Sequence, residues 1–143
     1  MFKFILKCVL LSFLIQSNYL HAEQKQIFDN LSVHYIAIPT KFLTPNIAHQ
    51  YSIKRSKYNG LINISVIDNT QNNKAIYAII SGTARNLIGQ IHPLNFTLVN
   101  EGDAIYYLAT YPFLNEEIVN FNIKIKTEKK TNILKFQHKF YIN

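Results

Sequence analysis

Residues 51–66, YSIKRSKYNGLINISV, contain the strand that decides the fold. Successive side chains of a strand point to opposite faces of a sheet, so Ile62, Ile64 and Val66 share one face. That face is wholly aliphatic and is predicted to be buried. Gly60 gives the backbone freedom to enter the strand, and the turn-forming run DNTQNN follows its end. The stretch therefore predicts a core strand between two turns.

The same alternation of apolar and polar side chains recurs along the rest of the chain. Strands with this pattern are predicted at residues 31–38, 61–67, 74–85, 94–99, 104–111, 118–126 and 134–140. About seven strands at this spacing indicate an all-β sandwich. Parallel neighbours would need long, usually helical connections, so the sheets are predicted to be mostly antiparallel.

One short connector helix is predicted after the first of these strands. Thr44 can cap a helix, and Pro45 has the backbone angle of a first helical residue. Residues 46–50 leave room for only a turn or two, so this helix is not a layer of the fold.

A short segment favours an immunoglobulin-like sandwich over a barrel. Residues 103–108, DAIYYL, resemble the approach to the second cysteine of immunoglobulin-type domains, with Leu108 in the cysteine position. Tyr106 lies two residues earlier, where those domains have a structural tyrosine. Its hydroxyl is therefore predicted to bond back to the chain near the turn at residues 100–103.

The beginning of the chain reads as an export signal. Lys3 and Lys7 give a positive end, an apolar run follows, and the segment ends in the small residue Ala22. The apolar run is too short for a membrane-spanning helix, which needs about 20 residues. Residues 1–22 are therefore predicted to be a cleaved signal peptide that leaves no permanent membrane span.

Residues 23–143 are then predicted to form a single β-sandwich domain. The one cysteine, Cys8, lies in the signal, so this domain reaches an oxidising compartment with no disulfide to form. The whole chain has a formal net charge of +7. Nucleic-acid-binding domains usually cluster arginines on one face, whereas this chain has only Arg55 and Arg85, so no nucleic-acid partner is expected.

Residue types with catalytic or metal-binding chemistry do not form recognisable motifs. No histidines have the spacing of metal ligands, no Gly-x-Ser-x-Gly elbow occurs, and no cysteine nucleophile remains. We therefore expect no metal, no cofactor and no enzyme. The alternative is a hydrolase with an unconventional site, which would join one histidine to Asp103 or Glu116. The histidines of the domain are His34, His49, His92 and His138.

One basic loop is the candidate site for an anionic partner. Lys54, Arg55 and Lys57 are flanked by Tyr51 and Tyr58, just before the decisive strand. Such a loop suits an acidic envelope protein, a phosphorylated lipid head group or an anionic glycan. The alternative interpretation is a solvated turn, since runs of charge usually serve solubility.

A second group of lysines surrounds the last predicted hairpin. These cations are expected to blunt strand edges against aggregation, and they are Lys124, Lys126, Lys129 and Lys130. The abundant aromatic residues are expected to fill the core of a small domain without disulfides. Ile64 and Phe136 are both predicted to be buried there.

Several motifs in order resemble the bacterial family known as domain of unknown function 4426. They span residues 29–141 and include FLTP at 42–45, GLINISV at 60–66 and EGDAIYYL at 101–108. The resemblance implies a secreted or periplasmic protein of the Gram-negative envelope and carries over no activity and no site residues. The prediction is a non-catalytic periplasmic binding or accessory module. Besides a hydrolase, the alternative is an inhibitor-like module that engages a partner through an edge strand or loop.

Overall fold

The computed structural model describes residues 24–143, which form ten strands in two antiparallel sheets. The predicted signal peptide, residues 1–22, lies outside the described residues. The strands are β1 (Gln24–Phe28), β2 (Leu31–Pro39), β3 (Asn59–Asp68), β4 (Lys74–Ala75), β5 (Ile79–Asn86), β6 (Ile91–Leu94), β7 (Thr97–Glu101), β8 (Ala104–Pro112), β9 (Ile118–Lys126) and β10 (Thr131–Lys139). This architecture confirms the predicted fold class, a mostly antiparallel β-sandwich.

Two sheets enclose one apolar core. The six-stranded sheet has the order β1-β2-β3-β8-β7, with β4 paired to the end of β3. The four-stranded sheet has the order β10-β9-β5-β6. The side chains that face inward from both sheets form a single buried cluster. The two sheets therefore stabilise each other by burying these inner faces.

β3 lies at the centre of the six-stranded sheet, between β2 and β8. Ile62, Ile64 and Val66 are completely buried, as their alternation predicts. Gly60 has a different role from the one expected. A Cβ at this position would lie 2.7 Å from Cε1 of Phe140, so glycine is needed because the aromatic ring lies directly against the backbone.

β9 supplies the opposite side of the core. Val119, Ile123 and Ile125 are fully buried, and the ring of Phe121 stacks on Phe136 at 4.8 Å between centroids. Phe136 lies on a strand and packs against the core, but it is only partly buried, so it is less buried than predicted. It lies on the edge strand β10 at the margin of the core.

Two predicted strands are each divided between the sheets. The predicted strand 74–85 becomes β4, which pairs with β3, and β5, which pairs with β9. The predicted strand 94–99 gives way to β6 in one sheet and β7 in the other. β1 lies before the first predicted strand and was not predicted, and it pairs with β2. These three changes raise about seven expected strands to ten.

The connector helix forms as predicted. A 3₁₀ turn, Thr40–Phe42, precedes α1 (Pro45–Gln50). The Thr44 hydroxyl accepts a hydrogen bond from the Ile47 N–H at 3.3 Å and so caps the helix.

The structural tyrosine of β8 is Tyr107 and not Tyr106, so that prediction is wrong. Tyr107 points into the core, whereas Tyr106 lies on the opposite, half-exposed side of the strand. The Tyr107 hydroxyl accepts a hydrogen bond from the Ala78 N–H at 2.7 Å. Ala78 lies in the segment that crosses between the sheets, so Tyr107 holds the crossing in place.

We expect Tyr107→Phe to lower the free energy of unfolding by about 1 to 3 kcal/mol, because the Ala78 N–H loses its acceptor. Tyr106→Phe is the matched control and should change it by less than about 0.5 kcal/mol. Urea denaturation measures both. A larger loss from the control would contradict the assignment.

Ile64→Ala should lower the free energy of unfolding by about 2 to 5 kcal/mol, since it leaves a cavity in the core. Ile79→Ala is the control, because Ile79 is 67% exposed. Its change should stay within about 0.5 kcal/mol. Equal midpoints in denaturant for the two variants would show that the buried face is misassigned.

Candidate functional site

The basic loop, residues 51–58, connects α1 to β3 and is anchored by a buried hydroxyl. The side chain of Thr40 is completely buried. Its Oγ1 lies 3.0 Å from the carbonyl oxygen of Lys54 and 3.2 Å from that of Ser56, and accepts a hydrogen bond from the Ser56 N–H at 2.9 Å. The loop backbone is therefore held to the end of the strand before it.

Arg55 forms hydrogen bonds within the protein and so clasps two segments of backbone together. Its Nε donates to the Leu43 carbonyl at 2.8 Å, and Nη2 donates to the Lys41 carbonyl at 3.3 Å. These contacts join the loop to the segment before α1. The sequence predicted a binding cation here and gave no signal of this architectural role.

The side chains of Lys57 and Tyr58 are in contact, whereas that of Tyr51 is not part of this pair. The Lys57 Nζ lies 5.1 Å from the centroid of the Tyr58 ring, which is 49% exposed, and forms a cation–π contact. Tyr51 is half-buried, and its hydroxyl accepts a hydrogen bond from Gln50 Nε2 at 3.3 Å. Lys54 is exposed, and neither lysine pairs with an acidic side chain within residues 24–143.

A second lysine–aromatic pair lies on the segment that Arg55 clasps. The Lys41 Nζ is 5.1 Å from the centroid of the Phe42 ring, which is 66% exposed. The same Nζ donates to the carbonyl of Ile142 at 3.1 Å. Sequence reasoning missed this pair, although the dipeptide Lys41-Phe42 has the same form as Lys57-Tyr58.

Another exposed apolar side chain lies beside the loop. The Phe113 N–H donates to the Tyr58 carbonyl at 2.9 Å, so the backbone just before Leu114 lies beside Tyr58. Leu114 is 73% exposed. An exposed aliphatic side chain therefore directly follows the backbone that bonds to Tyr58.

The neighbouring carboxylates divide into one exposed and one structural group. Glu117 accepts hydrogen bonds from the Leu114 N–H at 3.0 Å, from Asn86 Nδ2 at 3.3 Å and from the Tyr111 hydroxyl at 3.4 Å. Burial, together with the negative charge of Glu117, raises the pKa of Tyr111 to about 12. The hydrogen bonds that Glu117 accepts therefore connect the loop at Leu114 to Asn86 at the end of β5. Glu116, in contrast, is exposed.

The two carboxylates considered for a hydrolase, Asp103 and Glu116, are exposed. In the part of the chain that the structure describes, neither forms a hydrogen bond with His49, His92 or His138. Burial lowers the pKa of His138, whose ring packs against Phe140 at 4.5 Å. Residues 24–143 bring together no group of three or more metal-ligating side chains.

A cavity of about 730 Å³ lies among the turns that follow β3 and β9. Asp68 lines it and accepts hydrogen bonds from the Thr70 hydroxyl at 2.6 Å, the Thr70 N–H at 2.9 Å and Gln71 Nε2 at 2.9 Å. Bonding to Thr70 is the main reason that the pKa of Asp68 is lowered. The carboxylate is satisfied by its own turn and holds that turn in shape.

The lysines of the last hairpin do not share one role. Lys124 and Lys126 lie on β9, which has β10 on one side and β5 on the other, so the prediction that they blunt a strand edge is wrong. Lys129 and Lys130 lie in the turn, where Lys130 forms an ion pair with Asp29.

Within residues 24–143, the helices are too short and too polar to cross a bilayer.

Comparison with known proteins finds a matching family model and several similar solved structures. Residues 25–143 match the family described as Domain of unknown function (DUF4426). The crystal structure of a DUF4426 family protein from Pseudomonas aeruginosa is 34% identical, with a TM-score of 0.75, and the match covers 86% of this chain and 98% of that one. Among curated proteins, nothing matches significantly.

Two solved structures of FetP from uropathogenic Escherichia coli share the fold. One is a copper-bound variant, and the other is the protein as isolated after expression in the periplasm of Escherichia coli. Each is 13% identical with a TM-score of 0.60. The matches cover 83% and 84% of this chain and 95% and 94% of those chains. At this identity the likeness shows the fold alone.

Thr40→Val should release the basic loop, because the Ser56 N–H loses its acceptor while the side-chain shape is kept. The expected loss in the free energy of unfolding is about 1 to 3 kcal/mol, with faster amide hydrogen exchange at residues 54–58. The exposed Thr131→Val is the control and should change stability by less than about 0.5 kcal/mol. Unchanged exchange in the loop of Thr40→Val would contradict the anchoring role.

Proposed function

Because the chain belongs to the family described as Domain of unknown function (DUF4426), we propose that it is a non-catalytic periplasmic module that binds an anionic lipid surface of the Gram-negative envelope. The export pattern of residues 1–22 supports the location. A FetP of the same fold was likewise produced in a periplasm. The surface chemistry of the basic loop and its neighbours supports the lipid partner.

The observation that carries this proposal is the pair of lysine–aromatic contacts, Lys41–Phe42 and Lys57–Tyr58. Each contact presents a cation beside an exposed ring. Aromatic rings favour the level of the lipid head groups, and cations near an anionic surface each contribute about 1 kcal/mol of attraction. The rings of the two pairs therefore suit the head-group level of the bilayer, and their cations suit its negative charge.

The surface that carries these pairs is preorganised. Thr40 anchors the loop backbone, and Arg55 clasps it to the segment that holds Lys41 and Phe42. A loop that is ordered before binding loses less conformational entropy when it binds. Leu114 adds an exposed aliphatic side chain directly after the backbone that bonds to Tyr58, which suits shallow insertion between head groups.

The test measures sedimentation with vesicles of phosphatidylglycerol and phosphatidylethanolamine. The wild-type protein should bind, and its affinity should fall with salt, since the Debye length shortens from about 10 Å at 0.1 M to about 3 Å at 1 M. Lys54→Ser/Lys57→Ser should bind about thirtyfold more weakly at low salt. Arg55 is retained because its removal would also free the loop.

Lys124→Ser/Lys126→Ser is the matched control, since it removes the same charge from a different surface. This control should keep wild-type affinity. An equal loss of vesicle affinity in both variants would show that only the net charge of the protein matters. Equal binding by all three proteins would show that the loop is a solvated turn with no binding role. Binding of an acidic protein or glycan that is lost in Lys54→Ser/Lys57→Ser, together with no binding to vesicles, would also overturn the lipid assignment.

A further inference from the structure

The outer face of the four-stranded sheet carries cations and no carboxylates. Strands β5, β6, β9 and β10 contain no aspartate or glutamate. Their lysine and arginine side chains are all exposed and lie on the side away from the core: Arg85, Lys124, Lys126, Lys135 and Lys139. Because like charges repel, such a face is best satisfied by an anion that binds across it.

Two rows of side chains form the centre of this face. Asn120 lies between Arg85 and Gln137 in one row. In the next row, Asn122 lies between Thr83 and Lys135. Two strand spacings and one two-residue step separate Arg85 from Lys135, so their Cα atoms are about 12 Å apart. The two cations thus stand at opposite corners of a patch of amides.

This patch is concave. A cavity of about 550 Å³ is lined by Thr83, Arg85, Ile91, Asn122, Lys135 and Gln137, among other residues. Binding sites for small ligands usually enclose about 300 to 1,000 Å³. The volume is therefore sufficient for a ligand that reaches both cations.

The amide and cationic side chains of this patch have groups available to bind such a ligand. Gln137 Nε2 donates to Asn120 Oδ1 at 3.0 Å, which turns Asn120 Nδ2 and Gln137 Oε1 toward other partners. Arg85 and Lys135 form no ion pair with the residues at 24–143. Ile91 is 60% exposed and gives the cavity an apolar wall.

We propose that this face binds an acidic oligosaccharide. The amides would exchange hydrogen bonds with sugar hydroxyls, Arg85 and Lys135 would each bind an acidic substituent, and Ile91 would contact a sugar ring. A small anion with one charge would reach only one of the cations. Single-stranded nucleic acid requires aromatic stacking platforms, and no aromatic side chain points outward from these four strands.

This site shares no residue with the lipid-binding loop, so each proposal can fail alone. The probe is tetragalacturonate, titrated into the isotope-labelled protein and followed by NMR. The side-chain amide signals of Asn120, Asn122 and Gln137 should shift. Arg85→Gln/Lys135→Gln should weaken binding by at least about tenfold, because charge-assisted hydrogen bonds are lost.

Lys54→Gln/Lys57→Gln is the matched control and should bind tetragalacturonate as the wild type does. Asn122→Asp is a second variant, which keeps the size of the side chain but should abolish binding by repulsion. The backbone spectra of all variants report whether they are folded.

Three outcomes would overturn the proposal. Methyl-esterified tetragalacturonate could bind equally well, which would remove the requirement for acid groups. Tetraglutamate could shift the same signals with equal affinity, which would show attraction to charge alone. Tetragalacturonate at millimolar concentration could leave the three amide signals unmoved, which would exclude the site.

Discussion

Mutual burial of two aliphatic inner faces is the constraint on which this structure depends. Ile64 and Val66 of one sheet and Ile123 and Ile125 of the other are completely removed from solvent. Residues 24–143 contain no cysteine, so no disulfide within them can assist these faces. Close approach of backbones also matters, because a Cβ at Gly82 would lie 2.7 Å from the Asn122 carbonyl oxygen.

Alternation along single strands could be predicted from the sequence because it is a local property. β3, β8, β9 and β10 were found in this way, and the capped helix was found from the pair Thr44-Pro45. The crossings between the sheets could not be found. Residues 76–78 carry apolar side chains like their neighbours, and only the distant partner Tyr107 shows that the strand ends there.

The position of the candidate loop could be predicted from the sequence, but the structural roles of its individual residues could not. Arg55 and Lys57 look equivalent in the sequence, yet one clasps backbone carbonyls and the other lies over an exposed ring. The cationic outer face was also missed. Arg85 and Lys135 are far apart in the chain, and only the register of β5, β9 and β10 places them on one patch.

The central position of β3 has a consequence for the route by which the chain folds. β3 pairs with β8, and the whole of β4 to β7 lies between them in the sequence. Such a pairing forms only after a long loop has closed, and the entropy lost in closing it is offset only once the strand contacts have formed. This slows folding. β9 and β10 are joined by a short turn and share a long register, so they can associate early. The β9–β10 hairpin is therefore suited to form early, whereas the β3–β8 and β5–β9 pairings, which both join distant segments of the chain, are completed later.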